Sequence, residues 1–363
     1  MTEQSNSYSG IRFLSIAAAL VVIIAGIFMA QSVIVLGLIS VFLALIGTPP
    51  VLWLEKKRIP SFVSVAIVVS VMIIILLICG LVVGASFKSF SDALPFYQMR
   101  IQEQLTAFET LLANKGISSA DKTLLKYINP ETIINLMAGL LTGLSSALSN
   151  LVLILLTVTF ILFEVSSFPV KLRAVLGNPE AVFPRFTRFV IEIRRYLIIT
   201  TLINLTAGIL IGIWLFILGV QYPVLWGFIV FLLHYIPNIG SVIAAIPTIL
   251  FALIQLGISS AIFVAAGYLL IGFIIGNIIQ PKIMGRRLGL STLVVFLSLI
   301  FWGNLLGLIG AILCIPLTMT LKFAFESNET TKWIAVLLGP EKSVEDKHPM
   351  TKKKKKIYDK TED

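Results

Sequence analysis

The amino-acid sequence predicts an all-α fold, a polytopic transmembrane helical bundle of about 8 membrane segments. Two observations carry this. Of 363 residues, 58% are hydrophobic and only 13% are Asp, Glu, Lys or Arg, about half the charged share of a soluble domain. The charges are also bunched: none falls in residues 13–54, 59–87, 132–163, 196–281 or 288–321. A helix needs about 20 apolar residues to cross a bilayer. The first block therefore holds two spans, the second and third one each, the fourth three or four, and the fifth one long span or two short ones. Such a chain lacks the charge to cover a soluble surface. Disordered, collagen-like and disulfide-scaffold classes are excluded as well.

In chain order, residues 1–86 form the N-terminal helices. Residues 1–10 are polar, and the apolar run after Arg12 has no small-residue cleavage site, so no cleaved signal peptide is expected. Helices near 13–30 and 33–52 should form a hairpin, with a third near 61–86. Segment 87–131 carries five basic and five acidic residues. Its apolar stripe of Phe87, Phe90, Leu94, Tyr97, Ile101, Leu105, Phe108 and Leu112 marks an amphipathic helix, with Pro95 expected to start a new one. That face suits the protein's own membrane helices, the lipid surface, or a second copy in a homo-oligomer. Segment 132–195 holds a fourth helix near 133–163, opened by the cap Asn129-Pro130-Glu131, and a basic stretch in which Asn178-Pro179-Glu180 repeats the cap. Residues 196–325 form the C-terminal core, and 326–363 a Lys-rich tail with a run at Lys352 to Lys356.

Lys and Arg favour the cytoplasmic side. The basic turns are Lys56 to Arg58, the group Lys171, Arg173, Arg185, Arg188, Arg194 and Arg195, and the trio Lys282, Arg286 and Arg287. Together with the tail they place both termini in the cytoplasm and 87–131 outside. The tail suits anionic headgroups, worth about 1 kcal/mol per basic residue near the surface. The net charge of +10 follows from topology, so no nucleic-acid partner is expected.

Catalytic signatures are missing. There is no G-x-x-x-x-G-K-[ST], H-E-x-x-H or G-x-S-x-G, no metal-type Cys/His spacing, and no carboxylate in the charge-free blocks. Neither an enzyme nor a cofactor is expected. Cys79 and Cys314 read as small buried hydrophobes.

The C-terminal core carries two interruptions. The first is His234-Tyr235-Ile236-Pro237-Asn238-Ile239-Gly240. The second is Trp302-Gly303-Asn304-Leu305-Leu306-Gly307, followed by Gly310. Pro removes a backbone donor and Gly frees the backbone. In a bilayer such breaks survive only where protein or a watery cavity satisfies the released groups. Discontinuous helices of this kind build transporter binding sites. Each interruption reads either as the tip of a re-entrant hairpin or as the turn between two short full crossings. Between them lie Gly272 and Gly276, a small-residue packing face, and Asn277 and Gln280, two amides three residues apart. The candidate solute pathway is Pro237, Asn238, Gly240, Asn277, Gln280, Gly303, Asn304 and Gly307. His234 and Glu164 are candidate proton relays.

The stretches Ile236 to Pro247 (IPNIGSVIAAIP), Asn277 to Ser291 (NIIQPKIMGRRLGLS) and Phe301 to Leu317 (FWGNLLGLIGAILCIPL) resemble the autoinducer-2 exporter family of bacterial membrane proteins. The layout over residues 11–325 agrees. The resemblance implies a multi-pass inner-membrane transporter. It implies export of a small polar solute, an autoinducer-2-like quorum-sensing signal. Some family members act instead as sodium(lithium)/proton antiporters, which is the first alternative. A non-transporting membrane scaffold is the second. An uncharged solute suits the Asn, Gln and backbone groups available, whereas a cation would favour carboxylates, and only Glu164 and Glu192 are near.

Overall fold

The computed structural model describes residues 4–114, 150–165, 182–237, 239–284 and 289–340, with positions 139, 167, 168, 171 and 174 between them. Among these residues all regular structure is helical. Five helical stretches are long and apolar enough to cross a membrane: Gln31–Lys56, Ser61–Ser86, Phe186–Ile217, Ile258–Ile283 and Thr292–Glu326. Their outward faces are apolar. Leu81 is 73% exposed and Leu269 75%, as expected where lipid replaces water as solvent. The chain falls into two units, Ala44–Leu288 and a second made of Met1–Leu43 with Gly289–Asp363.

The second unit begins with α1 (Gln4–Met29) and the part of α2 (Gln31–Lys56) that precedes Ala44. Only Ala30 separates them. Its N–H bonds the Gly26 carbonyl, and its own carbonyl accepts from Ile34. The expected hairpin is therefore absent at this junction, which is shorter than the two to five residues of a helix–helix turn. The sequence Met29-Ala30-Gln31-Ser32 holds no Gly or Pro to stop the helix. The unit continues with α10 (Thr292–Glu326) and α11 (Lys332–Leu337).

The larger unit contains α3 (Ser61–Asn114), α4 (Leu151–Val165), α5 (Val182–Ile217), α6 (Pro223–Leu233), α7 (Gly240–Leu256) and α8 (Ile258–Phe273). A π-helical stretch, Ile274–Ile279, and α9 (Gln280–Met284) follow without a gap. Two boundaries differ from expectation. The helix α3 runs through Pro95 without a new start and spans 54 residues, about 81 Å at 1.5 Å per residue. Pro95 costs one intrahelical donor, but the following Gln98, Met99, Arg100, Gln102, Glu103, Gln104 and Leu105 favour helix strongly. The helix α5 starts at Val182 rather than near 196, so Arg188, Arg194 and Arg195 lie on the same rod as the apolar span. The expected caps at Asn129-Pro130-Glu131 and Asn178-Pro179-Glu180, together with Arg286, Arg287 and the tail from 341, lie outside the described residues.

Glycine sets the closest packing in this unit. A Cβ on Gly208 of α5 would lie 2.5 Å from the Gly227 carbonyl oxygen of α6, and one on Gly227 would lie 2.6 Å from the Gly208 oxygen. The backbones touch there, as in small-xxx-small membrane contacts. Gly212, one turn on, faces the Pro223 carbonyl at 3.4 Å. On the other side of α5, the Trp214 indole N–H donates to the Phe263 carbonyl at 3.1 Å and the ring lies over Gly267. The expected packing face at Gly272 and Gly276 is different: a Cβ at either would meet nothing within 4 Å. Their spacing is right, but the helix turns that side away from α5 and α7.

Candidate functional site

Both sequence interruptions are the turns of antiparallel helical hairpins. In the first, α6 and α7 pair from end to tip. At the open end, Gln255 of α7 accepts from the Gln221 N–H at 2.9 Å and donates to the Gly219 carbonyl at 3.1 Å. Further in, Phe251 meets the rings of Tyr222 and Trp226, with centroids 6.1 and 5.5 Å away. At the tip, Gly240 presses on the Leu233 carbonyl so closely that a Cβ would collide with it. The helix α6 has 11 residues, about 16 Å. That is roughly half of a 30 Å hydrocarbon core, so α6 cannot cross alone.

The second hairpin lies within α10. At Gly307 the backbone takes φ 66 and ψ −150, a conformation essentially confined to glycine. The chain then folds back. Gly303 faces Ala311, Gly310 sits against the Trp302 carbonyl, and Lys322 Nζ donates to the Gly289 carbonyl. These pairs step outward evenly from the turn, which defines antiparallel pairing. The Trp302 indole N–H also donates to Thr318 Oγ1 at 3.1 Å. From Thr292 to the break is about 22 Å, again short of a crossing.

The tip of the first hairpin rests on polar side chains of α5. Ending α6 releases backbone groups that lipid cannot satisfy. Asn204, 2% exposed, takes one of them. With its amide assigned in the orientation that satisfies both neighbours, its oxygen accepts from the Tyr235 N–H at 3.2 Å, a donor shared with the Leu232 carbonyl at 3.3 Å, and its nitrogen donates to the Thr200 carbonyl at 3.2 Å. The Tyr235 hydroxyl donates to Thr201 Oγ1 at 2.7 Å. The turn closes with the Ile239 N–H on the Pro237 carbonyl at 2.7 Å and the Gly240 N–H on the Ile236 carbonyl at 3.1 Å. His234 caps the C-terminus of α6 and is half-buried.

The sequence-proposed residues do not all gather here. Pro237, Gly240 and His234 form this tip, and Asn238 lies outside the described residues. Asn277 is exposed on the π-helical stretch and Gln280 half-buried at its end. Gly303 and Gly307 shape the second turn, whereas Asn304 is exposed beside it. Glu164, at the end of α4, accepts from Lys171 at 2.8 Å in an exposed ion pair. Sequence reasoning missed Thr200, Thr201 and Asn204. Their signal is three polar residues within two turns of the charge-free part of α5, and it is faint because none is ionisable.

Hairpins whose first arms are too short to cross, in a chain that also has full-length apolar helices, define a multi-pass membrane protein of transporter architecture. The chain belongs to the AI-2E family of transporters, whose family model matches residues 17–329. It is 39% identical over 339 residues to the AI-2 transport protein TqsA of Escherichia coli (strain K12), covering 93% of this chain and 98% of that protein. It is 37% identical to YhhT of the same organism, covering 92% and 95% respectively. YhhT is provisionally named a transport protein, with no substrate in its name. A Haemophilus influenzae relative named in the same way is 36% identical, covering 89% of this chain and 94% of its own.

Proposed function

We propose that this protein is a bacterial inner-membrane exporter of a small, polar, uncharged solute of the autoinducer-2 type. The observation that carries this reading is the α6–α7 hairpin. It has an arm of half-bilayer length and a tip hydrogen-bonded to Thr201 and Asn204 of α5. The name of TqsA points to the same solute class. A break of this kind brings backbone and hydroxyl groups to mid-membrane depth, where they replace the hydration of a polar molecule. The uncharged block 196–281 around the tip favours a neutral cargo over a cation. The hairpin enters from the outer face, because Lys282 holds the far end of α8 and its continuation in the cytoplasm. Both termini are cytoplasmic in this reading, and the Lys-rich tail lies against anionic lipid. The test is flux in reconstituted vesicles. Autoinducer-2 should cross protein-containing vesicles faster than empty ones. Sodium-dependent dequenching of a pH probe without autoinducer-2 flux would favour the antiporter instead.

A further inference from the structure

The last helix among the described residues is apolar where no span requires it. Charge returns at Lys322, after the charge-free stretch 288–321, so α10 leaves the hydrocarbon near that residue. The polar linker Ser327-Asn328-Glu329-Thr330-Thr331 then redirects the chain, with Asn328 accepting from the Thr330 N–H at 3.1 Å. The helix α11 follows and is tied at both ends to the open end of the second hairpin. The Thr331 hydroxyl donates to the Phe325 carbonyl at 3.0 Å, on one arm. The Leu338 carbonyl accepts from the Ser291 N–H at 3.1 Å, at the start of the other. Ile334, Ala335 and Leu338 turn inward, Ala335 to 3% exposure. Trp333, Val336 and Leu337 turn outward, Trp333 at 63% and Leu337 at 68%.

A helix of six residues, about 9 Å long, spans nothing. Its outward face is therefore not the lipid-facing side of a membrane-crossing helix, and in water it would be an exposed apolar patch of the kind that marks a contact. Three observations name the occupant. Leu338 meets Ser291 where the charge-free arm begins, which puts the face at the membrane boundary. Tryptophan is enriched at that boundary, because its ring is apolar and its N–H polar. Cations also follow the face. Lys332 itself is occupied by Glu329 at 2.9 Å, but residues 341–356 carry seven lysines, five of them in the run Lys352 to Lys356, against three carboxylates.

We infer that α11 is an interfacial anchor whose Trp333, Val336 and Leu337 insert among the headgroups of an anionic phospholipid bilayer. Three apolar side chains bind a bilayer weakly, and electrostatic attraction of the lysines that follow adds to them. Because α11 bonds both arms, the anchor holds the open end of the second hairpin at the membrane surface.

Nitroxide labels on single cysteines read this depth directly. V336C and, as the reference in water, E329C are made in full-length protein lacking Cys79 and Cys314. Each is reconstituted in vesicles of phosphatidylcholine alone or with an equal part of phosphatidylglycerol. Collision with oxygen, which partitions into lipid, is compared with collision with a water-soluble nickel chelate. In the anionic vesicles the label at 336 should lie about 5–10 Å into the headgroup boundary, and the label at 329 in water. The label at 336 should move outward in phosphatidylcholine alone, and W333S should move it outward in both. A label at 336 as open to nickel as that at 329 in anionic vesicles overturns the anchor. A label shielded from both reagents shows that protein covers the face, either the tail or a second copy, and overturns it as well. Equal depth in the two vesicle types overturns the assignment to anionic lipid. Should W333S fail to fold, the comparison between vesicle types still decides. None of these outcomes bears on the solute, so the exporter reading stands or falls separately.

Discussion

Replacing Gly208 by Ala tests whether backbone contact between α5 and α6 holds the first hairpin in place. The added Cβ would start 2.5 Å from the Gly227 carbonyl oxygen and 3.1 Å from Phe231 Cβ. An ordinary contact begins near 3.4 Å, so the two backbones must separate by about 0.9 Å. The obstacle is main chain rather than a flexible side chain, which puts the overpacking cost near the upper end of its range, about 3 kcal/mol. Alanine recovers about 1 kcal/mol of helix propensity over glycine, leaving a net loss of about 2 kcal/mol. For a unit of this size that lowers the thermal midpoint by about 4–8 °C. Gly212→Ala, with its nearest neighbour at 3.4 Å, should be close to neutral. Gly272→Ala, with nothing within 4 Å, should raise the midpoint slightly. Thermal unfolding in detergent, followed by intrinsic tryptophan fluorescence, measures all three. A Gly208→Ala midpoint equal to that of Gly272→Ala would refute the packing argument.

Gly307→Ala places a side chain where φ is 66 and ψ −150; it should cost about 1–3 kcal/mol and lower the thermal midpoint, while Gly303→Ala, with Ala311 at an ordinary 3.7 Å, should not. Tyr235→Phe and Thr201→Val each remove one end of the same 2.7 Å hydrogen bond, so each should cost about 1 kcal/mol and the double variant should cost less than the sum; additive losses would show that the two do not interact. For orientation, single cysteines at Ser118 and Lys352, in a background lacking Cys79 and Cys314, are probed with an impermeant thiol reagent on whole cells. Labelling at 118 only is expected, and labelling at 352 only would invert the topology.

Much of the fold was legible because charge is expensive in lipid. Its absence from the blocks 13–54, 59–87, 196–281 and 288–321 outlined the helices before any coordinates. The two interruptions stood out because Pro237, Gly240 and Gly307 are residues that helices avoid. Other features left a weaker trace. Pro95 carries the same chemical signal as Pro237, but strong helix formers follow it and the helix absorbs it. Gly272 and Gly276 match the spacing of a packing face as well as Gly208 and Gly212 do. Only the approach of Gly227 separates the two pairs, and no local pattern records that approach. Thr200 and Asn204 look like ordinary tolerated polar residues until the turn at Tyr235 is brought over them. Exposed Asn277 shows the reverse: an amide in an apolar helix is conspicuous in sequence wherever it points.

The central claim is that the hairpin seated on α5 carries a small neutral polar solute across the bilayer. It is tested most directly by autoinducer-2 flux in vesicles reconstituted with the wild-type protein. The account predicts protein-dependent, saturable flux. Flux no greater than in empty vesicles, or sodium-driven proton movement in its place, would contradict it.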